Sequence, residues 1–136
     1  MNADKIFSLQ DGEQYLTFSV RKMPPAQLER WLLRANALLM QDAAMPEDGY
    51  LAACRTLAKG GPLALVRNGY SAEAQALGDE LLACCSRRLD NMDVHCTPDT
   101  VDGFIQEVTT LFTLKSEALK RNLDFLPDGD TPPQGA

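Results

Sequence analysis

The sequence has few of the residues that catalytic sites commonly need. It contains one histidine, His95, and no G-x-x-x-x-G-K-[ST] or G-x-G-x-x-G phosphate-binding loop. A nucleophilic site needs a base placed beside its nucleophile, and the neighbours of His95 form no nucleophile elbow. Adjacent carboxylates such as Asp79 and Glu80 are explained by the solvated face of a helix start. The sequence therefore predicts a protein that is not an enzyme and that uses no cofactor.

Long apolar runs and an excess of positive charge are missing as well. No run approaches the roughly 20 apolar residues that a membrane span requires. Residues 1–20 lack the basic start and apolar block of a secretory signal. The formal net charge of −6 disfavours contact with nucleic-acid phosphates and with anionic lipids. These absences predict a cytoplasmic protein that binds neither nucleic acid nor membranes.

Cysteine is limited to four positions, and three of them lie near the single histidine. Cys84, Cys85, His95 and Cys96 form the one candidate metal site. Zinc sites favour cysteine pairs separated by two to four residues, whereas adjacent residues of a helix point about 100° apart. We therefore expect no bound metal and no disulfide, and we expect the thiols to be free in a reducing compartment.

The first segment with a clear structural pattern is a β-hairpin over residues 6–20. Ile6–Leu9 and Tyr15–Val20 have strand-like composition, and the turn signal Asp11-Gly12 lies between them. An amphipathic helix is predicted from about Pro25 to Gln41, with an apolar stripe at helical spacing formed by Leu28, Leu32, Ala35 and Leu39 and widened by Leu38. The only tryptophan, Trp31, widens that apolar stripe, and we expect it to pack mainly in the core.

Helical periodicity continues through the rest of the chain. Further helices are predicted from Pro46 to the stop signal Gly60-Gly61-Pro62, from Ser71 to about Arg88 and from Pro98 to about Phe125, with a loop over Leu89–Cys96. The last helix would be roughly 40 Å long, so a break near Thr109–Thr113 stays open as an alternative. The expected fold is mainly α: residues 1–126 form a single helical domain of about four helices with the N-terminal hairpin. Residues 127–136 are expected to be a disordered tail.

Two surface features allow either a structural or a binding role. Arg21, Lys22, Arg30 and Arg34 form a basic group in an acidic chain, which either pairs with the protein's own acids or receives a partner. The amphipathic helices either bury one another or leave a groove for a partner helix. The sequence by itself leaves both alternatives open.

Three segments resemble, in order, the tail assembly chaperones of tailed bacteriophages and prophages. The first is R-K-M-P-P-A-Q-L-E-R-W-L-L-R-A, residues 21–35, after the hairpin. The second is G-Y-S-A-E-A-Q-A-L-G-D-E-L-L-A-C-C, residues 69–85, with an acid-L-L-x-C element. The third is L-K-S-E-A-L-K-R-N-L-D-F-L, residues 114–126, similar to a closing L-x-x-E-A-L-x-x-N-x-x-F element.

The resemblance implies a binding function and transfers no catalytic residue. Such chaperones coat the long tape-measure protein before the tail tube polymerises, and they are absent from the mature virion. The implied partner is the tape-measure protein, in the cytoplasm of the bacterial host; contact with the tail-tube protein and a homo-oligomer are left open. The alternative is a virion structural component, either a minor tail protein or a head–tail connector. The predicted contact surface joins Arg21, Lys22, Arg30 and Arg34 to exposed apolar positions of the last helix, such as Phe112 and Leu119.

Overall fold

The computed structural model describes residues 4–39 and 50–126. Helices make up 54% of the structure and strands 21%, so the fold is mixed α and β. In chain order the elements are β1 (Lys5–Asp11), β2 (Gln14–Val20), α1 (Pro25–Leu39), α2 (Tyr50–Gly60), a 3-10 helix (Gly61–Val66), α3 (Ala72–Leu82), β3 (Cys85–Leu89), β4 (Met92–His95), α4 (Pro98–Val101) and α5 (Val108–Asn122).

The four strands form one antiparallel sheet in the order β1-β2-β3-β4. The predicted hairpin is present, and its two strands pair along their whole length, from Lys5 opposite Val20 to Asp11 opposite Gln14. A second hairpin, β3–β4, joins it through the pairing of Val20 with Cys85. The sheet therefore combines residues that lie more than sixty positions apart in the chain.

The prediction of a mainly α fold with one hairpin is wrong. The third predicted helix ends at Leu82, and the backbone N–H of Arg21 donates to the carbonyl of Cys84 at 2.9 Å. That bond begins the β2–β3 ladder, so the predicted helical residues from Cys85 to Arg88 are extended instead. The predicted loop over Leu89–Cys96 contains β4. Pairing across the sheet outweighed the local helical spacing, because strand preference depends on neighbouring strands.

The helices cover one face of the sheet, and the core lies between the two layers. Along β2 the residues Leu16, Phe18 and Val20 are buried, as expected for a strand with one face against the core. α5 packs on β1 and β2, and its Leu114 and Ala118 are fully buried. The opposite face of the sheet is mainly polar.

The predicted last helix is two helices, α4 and α5, separated by residues 102–107. The break lies before Thr109 and not among the threonines. Asp11, at the end of β1, explains its position. One carboxylate oxygen of Asp11 accepts the N–H of Gln106 at 2.7 Å, and the other accepts the N–H of Glu107 at 2.8 Å. These backbone donors precede the first turn of α5, so the hairpin holds the start of that helix.

Asp11 is fully buried and has four hydrogen-bond donors. Besides the two backbone groups, the hydroxyl of Thr110 and the side-chain amide of Gln14 each donate at 2.7 Å. Burial raises the pKa of Asp11, but the four hydrogen bonds outweigh that effect and hold the pKa below its ordinary value. The carboxylate therefore stays charged inside the protein and joins β1 to α5.

Within residues 4–39 and 50–126, no helix combines the length and apolar composition needed to cross a membrane. The predicted tail, residues 127–136, lies outside the described residues. So does the predicted start of the second helix at Pro46.

Candidate functional site

The three segments that resemble the chaperone family meet at one buried point. The side-chain oxygen of Asn122 accepts the backbone N–H of Met23 at 2.7 Å. The amide nitrogen of the same side chain donates to the carbonyl of Ala118 at 2.8 Å and lies 3.7 Å from the sulfur of Cys84. Asn122 is 1% exposed. These motif residues therefore form a structural junction, which joins the turn before α1 to the ends of α3 and α5.

Trp31 is part of the core, and its predicted burial is confirmed. The side chain is 1% exposed. Its indole N–H donates to the carbonyl of Leu77 on α3 at 3.1 Å, so the polar edge of the ring has a partner. Trp31 therefore fixes α1 against α3 and is not accessible to a partner protein.

Two members of the predicted basic group, Arg34 and Lys22, form ion pairs within the chain. Arg34 pairs with Glu73 at 3.0 Å and with Glu80 at 2.6 Å, both on α3. Its hydrogen bond to Glu73 is the largest effect that raises the pKa of the guanidinium, and the same bond lowers the pKa of Glu73. Lys22 pairs with Asp124 at 2.7 Å, just after α5. These ion pairs support the structural alternative for both residues.

The remaining members of the predicted surface are scattered. Arg30 is exposed and forms no ion pair with any residue that the structure describes. Arg21 is half-buried. Phe112 is 45% exposed and remains accessible, but Leu119 is 2% exposed and belongs to the core. The prediction that Leu119 is exposed is therefore wrong, and the six residues do not form one open surface.

The four cysteines are free and buried. Burial raises the pKa of the thiols of Cys54, Cys84 and Cys85, and it raises that of Cys96 to about 11. His95 is exposed on the edge strand β4. Over the described ranges, no cluster of histidine, cysteine or carboxylate side chains could hold a metal ion. The buried thiols act as small apolar side chains.

An apolar groove lies between α1 and α2. It has a volume of about 370 Å³. Its floor contains Cys54 and Leu57 of α2, which are 1% and 0% exposed. Leu33 lies on its rim and is 61% exposed. The lining residues are Pro25, Leu28, Glu29, Leu32, Leu33 and Asn36 of α1 and Cys54 and Leu57 of α2.

The α1 residues of this groove recur at the spacing of one helix face. Leu28, Leu32 and Asn36 are four positions apart, and Glu29 and Leu33 form the adjacent row. The side-chain amide oxygen of Asn36 is buried and has no hydrogen-bond partner within the described chain. Since Arg30 and Arg34 are not among the lining residues, the groove and the basic group occupy different sides of α1. The groove offers apolar contact along a helix-sized face, with one carboxylate at its rim.

One feature of the sequence, the position of Leu33, could have indicated this groove. The predicted apolar stripe of α1 includes Leu32 but omits Leu33, because adjacent helical residues point in different directions. An apolar residue outside the buried stripe indicates a second apolar face. The contribution of Cys54 and Leu57 could not be found in this way, because it depends on how α2 packs against α1.

Comparison of the chain with protein-family models, curated proteins and solved structures finds no match.

Proposed function

We propose that this protein is a phage tail assembly chaperone. It binds the tape-measure protein in the cytoplasm of the bacterial host, keeps it soluble while the tail is assembled, and is absent from the finished virion. It acts by binding and carries out no chemical reaction. Two kinds of observation support this proposal: the three family-like segments occur in order, and α1 and α2 present an accessible apolar groove.

The groove is the observation that carries the proposal. A tape-measure protein is a long helical chain, and its apolar stripes are exposed before the tube forms around it. An amphipathic helix binds in a groove through side chains at i, i+3, i+4 and i+7. Leu28, Leu32 and Leu33 provide an apolar surface with the matching helical repeat, above a floor formed by Leu57. Such contact covers an apolar stripe that would otherwise cause aggregation.

The charge of the protein suits a reversible complex. The net charge of −6 keeps a complex soluble while the groove covers apolar surface. Glu29 lies at the groove rim and is exposed. A tape-measure segment with a lysine or arginine beside its apolar stripe would complement this carboxylate. The contribution of one exposed ion pair is small, about 0–1 kcal/mol, so apolar contact should dominate the affinity.

Co-expression with the tape-measure protein of the same genome tests the proposal. The tape-measure protein should be soluble with the wild-type chain and aggregate without it. Leu33→Glu should abolish this effect, because it places a carboxylate on the apolar rim. Leu63→Glu is the matched control: both leucines are 61% exposed, but Leu63 lies on the 3-10 helix outside the groove. Circular dichroism should show that both variants fold.

Two results would contradict the proposal, and a third would contradict the choice of the groove as the contact surface. If the tape-measure protein is equally insoluble with and without this chain, there is no chaperone activity. If purified virions contain the chain in stoichiometric amount, the virion structural component becomes the correct function. If Leu63→Glu and Leu33→Glu reduce solubility equally, the groove is not the contact surface.

A further inference from the structure

The strand β1 has an open hydrogen-bonding edge. In an antiparallel pair, alternate residues bond to one neighbour and direct their N–H and C=O groups away from it. The two-residue turn after Asp11 places Asp11, Leu9, Phe7 and Lys5 in the bonded positions opposite β2. The backbone groups of Ile6, Ser8 and Gln10 therefore point away from the sheet. No hydrogen bond from the rest of the described chain reaches them.

This edge lacks the features that normally prevent strand pairing. Proteins protect edge strands with proline, bulges, central charges or a covering segment. The middle of β1, from Ile6 to Gln10, has no proline and no charge, and its pairing with β2 is regular. On the helix-facing side, Phe7 and Leu9 are only half-buried although they extend the core. A partner strand along β1 would cover both.

The residue pattern of β1 fits a second copy of itself. Only one antiparallel register pairs all seven residues, and it places Ser8 opposite Ser8 on a two-fold axis. Phe7 then lies opposite Leu9 on the core side, and Ile6 lies opposite Gln10 on the polar side. Cross-strand neighbours of this kind are about 5 Å apart, so the apolar pair would be in contact.

The charges at the two ends of β1 agree with this antiparallel arrangement. Lys5 begins the strand, is exposed, and pairs with Glu117 of its own α5 at 2.7 Å, while the exposed Glu13 lies at the hairpin tip beyond the other end of the strand. A two-fold axis brings Lys5 and Glu117 of each copy close to Glu13 of the other, so that one positive charge lies between two carboxylates. The chain's own last ten residues are a poor occupant, because prolines at 127, 132 and 133 provide no N–H donor for a ladder.

We infer that two copies of this protein associate through their β1 strands and form a continuous eight-stranded sheet. The contact adds about six backbone hydrogen bonds and joins the two apolar inner faces. It uses the edge opposite β4 and no residue of the groove, so it does not depend on the proposed chaperone function.

Sedimentation velocity of the full chain tests the dimer. The wild type should sediment as a dimer of a 14.9 kDa chain at tens of micromolar and dissociate on dilution. Ser8→Pro should weaken association at least tenfold, because proline removes an edge N–H without breaking the β1–β2 ladder. His95→Pro is the matched control, since the N–H of His95 points away from β3 on the opposite edge of the sheet. It should leave the dimer intact.

A second measurement fixes the register and does not require that the proline variant folds. Ser8→Cys places two thiols opposite each other on the proposed axis, within the distance that a disulfide spans. Mild oxidation should give a covalent dimer. Ile6→Cys should cross-link at least tenfold more slowly, because Ile6 faces Gln10 of the second copy. A wild-type protein that is monomeric at every concentration would overturn the inference, as would equal cross-linking of the two cysteine variants or a dimer unaffected in folded Ser8→Pro.

Discussion

The replacement Asp11→Asn would remove the charge that joins β1 to α5 while almost preserving the shape of the side chain. Each carboxylate oxygen accepts two hydrogen bonds: one oxygen from Gln106 and Gln14, the other from Glu107 and Thr110. Asparagine replaces one oxygen with an NH₂ group. At least one buried backbone N–H would then face another donor, which costs about 1–3 kcal/mol.

The remaining oxygen would be neutral, and hydrogen bonds to a neutral acceptor are weaker than those to a carboxylate. This difference adds about 1 kcal/mol to the loss of unfolding free energy. The expected loss is therefore roughly 3 kcal/mol at pH 7. Urea unfolding followed by circular dichroism measures it: with a slope of about 2 kcal/mol per molar, the midpoint should fall by about 1.5 M. Asp90→Asn is a suitable control, because Asp90 is exposed in the β3–β4 turn and should change stability by less than about 0.5 kcal/mol.

The pH dependence of the unfolding free energy provides an independent check on the role of the Asp11 carboxylate. Because the pKa of Asp11 is lower in the folded protein than its ordinary value of 3.8, the charged form stabilises the fold above that value. This contribution is lost as the pH falls through the lower, folded-state pKa. The stability difference between wild type and Asp11→Asn should therefore shrink in acid. A loss below about 0.5 kcal/mol at pH 7, or a difference independent of pH, would refute the reasoning.

Three further substitutions or reactions probe the core. Trp31→Ala should reduce the unfolding free energy by about 3–5 kcal/mol, since it leaves a cavity and removes the bond to Leu77; wild-type stability in urea would contradict this. Asn122→Ala should cost about 2–3 kcal/mol, because the buried N–H of Met23 loses its acceptor, and a midpoint unchanged within error would show that the junction is dispensable. At pH 8 the thiols should react with Ellman's reagent only slowly in the native protein and fully in urea, because burial raises the pKa of all four. A native thiol that reacts at the rate of free cysteine would exclude its burial.

The residues of the predicted contact surface differ in whether the folded protein leaves them accessible, and the reason is physical. The basic residues were identified by charge, but charge does not reveal whether a partner lies in the same chain. Arg34 finds Glu73 and Glu80 only when α1 packs against α3. Leu119 and Phe112 both fit the apolar period of one helix, yet only Leu119 is enclosed by its neighbours. Periodicity identifies a stripe, whereas burial depends on what packs against it.

Local chemistry in the sequence was sufficient for the first hairpin and for α1. The turn at Asp11-Gly12 and the alternation on both sides determine β1 and β2, since the strands are neighbours in the chain. The helical spacing of Leu28, Leu32, Ala35 and Leu39 determines α1 and the burial of Trp31. Both elements form through contacts between residues close in sequence, so their pattern could be read directly.

Only the tertiary structure decided the second hairpin and the break before α5. Cys85–Leu89 has no regular apolar alternation, and it becomes a strand because the edge of β2 offers partners to its backbone groups. Likewise, the periodicity of residues 98–125 is compatible with one helix. The helix is interrupted because Asp11, about ninety-five positions earlier in the chain, binds the N–H groups of Gln106 and Glu107. Hydrogen bonds between such distant residues leave no local pattern in the sequence, and the fold alone brings their atoms together.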